Sequence, residues 1–293
     1  MSRTAVPDTF DKPMRIGVVG LGAMGAGIAQ LSIEAGMETV GREIDSARGE
    51  AARDRIAHFL VRKVEKGRLD PDARDAALAR LRLTTELADL RECDVVIEAA
   101  FEELGVKQEV FRELERVVGR DAVLATNTSA LSVTEIASVL ERPNRAVGMH
   151  FFNPAPLMPL VEVVRAERTD DATFEAAFEL AQALGKTPIR CGDTPGFVVN
   201  RVLIPLLNDC VRVLDETGVA PEDLDAGLQH GAGWPMGPCR LLDLVGADVH
   251  VQASEALYEK LREPRMAPPP RLVRMVKAGK LGRKTGEGFY TYD

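Results

Sequence analysis

The sequence predicts an α/β chain in which a mostly parallel sheet carries an inserted helical hairpin and is followed by an all-α C-terminal domain. Three observations support this. Short apolar runs at residues 15–19, 95–99, 122–126 and 146–150 alternate with amphipathic stretches, the pattern of βαβ units. From Thr194 onward strand signals fade and helical periodicity takes over, as in Phe197 to Leu207. At 293 residues and 45% hydrophobic, the chain can fill two cores.

Taken in order, residues 1–12 are polar, lack the apolar stretch of a secretory signal and read as a loose leader. Residues 13–193 read as the sheet domain. Its first strand, 15–19, runs into a glycine-rich turn, and a helix follows to Gly36, where glycine suits the C-terminal end. A second strand is expected at Thr39 to Arg42, although Gly41 weakens its propensity. Charged helices from Ser46 to Lys66 and from Pro71 to Arg82 exceed what one crossover needs, so they form the inserted hairpin. Residues 194–293 read as the helical domain, with Pro205 expected to kink its first helix and a loop at 231–238 where glycine and proline cluster.

The net charge is −8, with cations scattered through helical stretches, so neither a nucleic-acid nor a membrane surface is expected. No apolar run approaches the roughly 20 residues of a membrane span. Cys93, Cys191, Cys210 and Cys239 lie far apart without metal-ligand spacing. Reduced thiols, a cytoplasmic location and no metal follow as expectations.

Gly20, Gly22 and Gly25 form a GxGxxG turn between a strand and a helix, the context that makes the motif informative. The turn Gly20-Leu21-Gly22-Ala23-Met24-Gly25 would set its backbone and helix N-terminus against a pyrophosphate. This identifies the domain as Rossmann-type. Glu43, ending the second strand, is the carboxylate expected on the ribose diol, with Asp45 as its rival or as a helix cap. A charge pair at ~4 Å and an effective dielectric near 20 is worth about 4 kcal/mol, so Glu43 disfavours a 2′-phosphate and selects NAD.

Further along, His150 and Glu162 flank a Pro-punctuated segment. A histidine oriented by a carboxylate can accept a proton from an alcohol and share the resulting charge. His150, the Thr126 to Ser129 string and the Glu98 to Glu102 string each follow a strand, which places three polar strand ends at the ligand-binding edge of a doubly wound sheet. His58, His230 and His250 lie outside any such pattern and read as solvated or packed.

These strings, together with Asp193 to Arg201, Gly233 to Pro238 and Lys284 to Tyr290, closely resemble the L-3-hydroxyacyl-CoA dehydrogenase family, nearest its 3-hydroxybutyryl-CoA type, over about Pro13 to Tyr292. The resemblance implies reversible NAD-dependent oxidation of an L-3-hydroxyacyl-CoA to the 3-ketoacyl-CoA, and a homodimer formed through the helical domain. It makes His150 the general base, Glu162 its orienting partner, and Ser129 and Asn200 the holders of the substrate oxygen and the thioester side, near the nicotinamide. It also puts Glu102, Lys107, Ser129 and Lys284 at the cofactor and the CoA against the helical hairpin, with Lys66 on a phosphate. Where some relatives carry a serine about seven residues before that lysine, this chain has Phe59 and Leu60. Other readings of the scaffold are a dehydrogenase of carrier-protein thioesters or of a sugar acid such as L-gulonate, and a non-catalytic NAD-binding relative.

Overall fold

The structure, a computed structural model, describes residues 14–292; the expected leader lies outside them. Two compact units divide between Thr194 and Pro195.

The first unit is built on β1 (Arg15–Val19), β2 (Glu38–Arg42), β3 (Leu81–Thr84), β4 (Val95–Glu98), β5 (Val123–Thr126), β6 (Ala146–Phe151), β7 (Leu160–Arg165) and β8 (Thr187–Gly192). Among the described residues they form one sheet in the order β3-β2-β1-β4-β5-β6-β7-β8. The first six run parallel; β7 is antiparallel to β6, and β8 is parallel to β7. Helices α1 (Ala23–Glu34), α2 (Ser46–Glu65), α3 (Pro71–Ala79), α4 (Leu104–Val117), α5 (Val133–Ala137) and α6 (Asp171–Ala183) connect them. The central strands are buried because they carry β-branched and aliphatic runs: Val95, Val96, Ile97 and Glu98 of β4 are all buried. Two apolar clusters result, one containing Ile28 and Val163 and the other Phe111 and Leu124.

Local signals set the helix boundaries. Asp45 caps α2 by accepting from the Arg48 amide, Asp70 caps α3 ahead of Pro71, and Asp170 caps α6. Asp193 reaches back to the start of α5, accepting from Val133 N, Thr134 N and Ser132 Oγ.

The structure corrects one expectation and adds two strands to the sheet. The second helix of the hairpin stops at Ala79 rather than Arg82, and Leu81–Thr84 is the edge strand β3. With no glycine or proline between them, and with Leu78 and Leu81 at helical spacing, the residues carried a helical signal that pairing with β2 overrode. After the Pro-punctuated segment the chain enters strand β7, which carries Glu162. Strand β8 carries a weak sequence signal because of Pro188; as an edge strand it tolerates that proline.

The second unit comprises α7 (Val199–Thr217), α8 (Pro221–Gly231), α9 (Pro238–Val245), α10 (Ala247–Leu261) and α11 (Pro270–Lys277). Leu207, Val211, Leu242, Val251 and Leu272 form its core, and Trp234, in the loop between α8 and α9, packs against it. Two buried carboxylates tie down the ends: Asp225 accepts from the first amides of α9 and from the Tyr290 hydroxyl, and Asp243 from the amides of Phe289 and Tyr290. Pro205 lies within α7. Among the described residues, no helix is long and apolar enough to cross a membrane.

Candidate active site

The strand order reverses between β1 and β4, and the carboxyl ends on either side of that switch point open the crevice in which such sheets hold ligands. Gly20 leaves β1 with φ +86°, and a Cβ there would lie 2.8 Å from Ala99 O. At Gly25 a Cβ would fall 1.8 Å from Gly20 O, so only glycine lets α1 pack onto the turn. Around Gly22, by contrast, a Cβ would meet nothing within 4 Å. Gly22 is the N-cap of α1 and makes no side-chain cap bond, and no acidic residue occupies the first turn. Ala23 and Met24 therefore begin a helix whose positive end suits a phosphate.

Glu43 stands beside this turn: Oε2 accepts from Leu21 N at 2.9 Å and Oε1 from Ile44 N at 2.8 Å. Its rival Asp45 is spent on capping α2. Arg42 turns away, donating from Nε to Thr85 O. Glycine turn and carboxylate together fit a dinucleotide with a free 2′-hydroxyl. Arg55, which the sequence did not single out, donates to Leu21 O at 2.8 Å and joins the hairpin to the turn.

Next along the edge lies a buried polar cluster. Lys107 Nζ donates to Glu98 Oε1 and Oε2 at 2.7 and 3.0 Å, and both side chains are at most 1% exposed. Glu98 also accepts from Ala100 N and Thr126 Oγ1, so it braces the ends of β4 and β5. Glu102 sits 3.3 Å from the Lys107 ammonium. Its Oε1 accepts from Thr128 Oγ1, Ser129 N, Ser129 Oγ and Ala130 N. Burial pushes the Glu102 carboxyl upward, but Lys107 and these donors outweigh it and hold the group below its usual range. The structure thus brings Glu102, Lys107 and Ser129 together, with Lys107 directed into the protein as the cluster's counterion.

His150 and Glu162 are cross-strand partners on the antiparallel β6–β7 pair. Nδ1 of His150 lies 2.7 Å from Glu162 Oε2, the carboxylate is fully buried, and Phe152 packs on the imidazole with ring centroids 4.6 Å apart. Asn127 Oδ1 accepts from Phe151 N and fixes the backbone beside the histidine. Cys191 on β8 lies 4.0 Å from the other Glu162 oxygen; burial and that charge push its thiol up to about 12. With Nδ1 engaged by the carboxylate, Nε2 is the nitrogen through which the ring exchanges a proton.

A cavity of about 830 Å³ opens between α1, α2 and the segment after Phe152. One wall is cationic, with Arg55, Arg62, Lys63, Lys66 and Arg68; another is apolar, with Ile56, Phe59, Pro154 and Leu157. Lys66 therefore faces the same space as the residues following His150. In the second unit, Asn200 lies in the first turn of α7, and Lys284 is ion-paired to Asp248 at 2.6 Å. His250 is buried there and bonds Asn208, which makes it a packing residue.

Comparison with known proteins matches the 3-hydroxyacyl-CoA dehydrogenase NAD binding domain to residues 15–194 and the C-terminal domain of the same enzyme to residues 196–292. A 3-hydroxybutyryl-CoA dehydrogenase of Mycobacterium tuberculosis is 46% identical over 284 residues, covering 96% of this chain and 99% of the relative. Among solved structures, M. tuberculosis FadB2 superimposes with a TM-score of 0.91 at 46% identity, covering 97% of this chain and all (100%) of the other. The (S)-3-hydroxybutyryl-CoA dehydrogenase PaaH1 of Ralstonia eutropha gives 0.92 at 40% identity, covering 96% and 100% respectively.

Proposed function

The chain belongs to the 3-hydroxyacyl-CoA dehydrogenase family, and we propose that His150 and Glu162 carry the reversible oxidation of L-3-hydroxybutyryl-CoA to acetoacetyl-CoA. The enzyme is an NAD-dependent oxidoreductase. NAD supplies the hydride acceptor, and Gly20 to Gly25 and Glu43 are the residues that would hold it. The observation that carries the assignment of roles is the 2.7 Å contact between His150 Nδ1 and the buried Glu162 carboxylate, on the sheet edge that also bears the glycine turn.

In the oxidising direction, His150 takes the substrate hydroxyl proton on Nε2, and Glu162 stabilises the imidazolium across the ladder. Reduction uses the same groups in reverse, with the protonated ring donating to the carbonyl oxygen. Low pH accordingly favours reduction. Ser129, anchored by Glu102, binds the substrate oxygen, and Lys107 keeps that carboxylate in place. Asn200 keeps its assignment to the reacting end of the substrate, its oxygen and thioester side, and Lys284 its assignment to the cofactor, both on family grounds. The cationic wall bearing Lys66 receives the CoA phosphates, while Phe59 and Leu157 offer apolar surface to the pantetheine chain.

Two further assignments concern the whole protein. Val202, Leu244 and Val249 are large apolar side chains exposed on the second unit, which supports a homodimer through that unit. The four free cysteines are buried thiols, which suits the reducing cytoplasm.

The test is NADH oxidation with acetoacetyl-CoA, the matching carrier-protein thioester, longer 3-ketoacyl-CoA thioesters, and L-gulonate in the oxidising direction. Acetoacetyl-CoA should give the highest kcat/KM. Preference for the carrier-protein thioester or for L-gulonate overturns the CoA reading.

A further inference from the structure

The loop Phe152 to Pro159 joins the strand of His150 to the strand of Glu162 and also forms a wall of the large cavity. Its own bonds are few: Pro154 O accepts from Leu157 N and Met158 N, which closes one turn. That turn leaves the carbonyls of Ala155 and Met158 to find donors elsewhere. Both are met by one side chain, Lys186, whose Nζ lies 2.6 Å from Ala155 O and 2.9 Å from Met158 O. Lys186 stands at the root of β8, just after Gly185 turns the chain out of α6 with φ +73°, and the next amide, Thr187 N, donates to Pro159 O at 2.7 Å.

The opposite face of the loop has no slack either. A Cβ at Gly27 of α1 would sit 2.9 Å from Pro156 Cδ and 3.1 Å from Ala155 Cβ. The loop is therefore wedged between α1 and the Lys186 ammonium, and Leu157, 73% exposed, is held out at the cavity.

The charge arrangement supports a positioning role over general packing. Burial lowers the Lys186 pKa, neighbouring Lys63 lowers it further, and Glu34 opposes both. Lys63 is ion-paired with Glu34 and also lines the cavity. A cation kept in an unfavourable place, with its protons aimed at loop carbonyls, holds that loop more firmly than a neutral donor can.

The geometry points to Lys186 as the residue that positions the cavity wall for the thioester arm of the substrate, and so sets KM for the CoA thioester without taking part in proton transfer. This rests on the assignment of the cavity to the CoA portion. Once the arm is seated, His150 and Glu162 remain fixed by their own ladder, so kcat is largely spared.

The experiment compares the wild type with Lys186→Met and Lys186→Arg, using acetoacetyl-CoA and the acetoacetyl thioester of N-acetylcysteamine, which lacks the nucleotide and most of the pantetheine. The wild type should show the lower KM for the CoA thioester. Lys186→Met should raise that KM at least about tenfold, change the truncated-substrate KM and kcat by no more than about threefold, and leave NADH binding intact. Lys186→Arg, which keeps the charge and two donors, should recover most of the loss. Equal wild-type KM values for the two thioesters overturn the cavity assignment and this role with it. A discriminating wild type and a Lys186→Met enzyme with the same KM ratio overturn the role of Lys186 alone, as does a matching loss of kcat on both substrates. Should Lys186→Met not fold, Lys186→Gln against Lys186→Arg in the same assay gives the decision.

Discussion

Glu162 faces His150 directly across the β6–β7 ladder, with Oε2 2.7 Å from Nδ1 and no solvent exposure. A loop-borne partner would need its conformation selected with each binding event, whereas here the strand pairing fixes the separation. Burial and the charge of Glu162, whose second oxygen lies 4.0 Å away, together raise the Cys191 thiol.

If the two residues act as one unit, their losses do not multiply. His150→Gln should lower kcat on acetoacetyl-CoA at least about 100-fold with NADH affinity nearly intact, and Glu162→Gln should cost a comparable factor. The double variant should be no slower than His150→Gln alone. Rates that fall by the product of the two single effects show independent roles instead.

With the cofactor on the glycine turn as proposed, Glu43 is the group expected to set the preference between NADH and NADPH. Glu43→Gln removes the charge that repels a 2′-phosphate while preserving an acceptor for Leu21 N. The ratio of kcat/KM for NADH over NADPH should fall at least about tenfold, well inside the roughly 4 kcal/mol available to one unscreened pair. An unchanged ratio assigns the discrimination to another group.

Much of this site was legible because its chemistry depends on short-range spacing. The glycine turn and the strand-end positions of Glu98, Thr126 and His150 follow from residues adjacent to strong strand signals, and Glu43 from its spacing after the glycine turn. What the sequence hid depends on contacts between segments far apart in the chain. Arg55 on Leu21 O, Lys186 on the 155–158 carbonyls and Asn127 on Phe151 N are all long-range bonds without a local pattern. Strand β7 has a usable signal in the β-branched Val161, Val163 and Val164, set against the prolines that precede it. Lys107 was legible as a residue near the site, while its burial against Glu98 was not.

That burial yields a stability prediction. Lys107→Met leaves Glu98 an unpaired carboxylate at 0% exposure and should destabilise the first unit by about 3–5 kcal/mol. Adding Glu98→Gln removes the stranded charge and should return part of that loss, since the amide oxygen can still accept from Ala100 N while the amide NH2, in place of Oε2, donates to Thr126 Oγ1. Urea midpoints followed by far-ultraviolet circular dichroism give the comparison. Additive losses would mean that the pair is not coupled.

The second unit should lose stability as pH falls from about 6.5 to about 4, because burial lowers the His250 pKa from 6.5 to about 4. In that window the unfolded chain binds a proton that the folded unit refuses, so unfolding becomes easier with each step down in pH; above 6.5 both states are neutral and the contribution is fully present. The proton on neutral His250 sits at Nε2, since Asn208 Oδ1 accepts there while Asn208 Nδ2 donates to Ser254 Oγ. One proton over this window corresponds to about 3 kcal/mol. The single tryptophan, Trp234, packs against the core of this unit, so its fluorescence reports the transition selectively. His250→Gln, which can still donate to Asn208, should show a shallower pH dependence by about one proton. The same slope in both proteins would place the titrating group elsewhere.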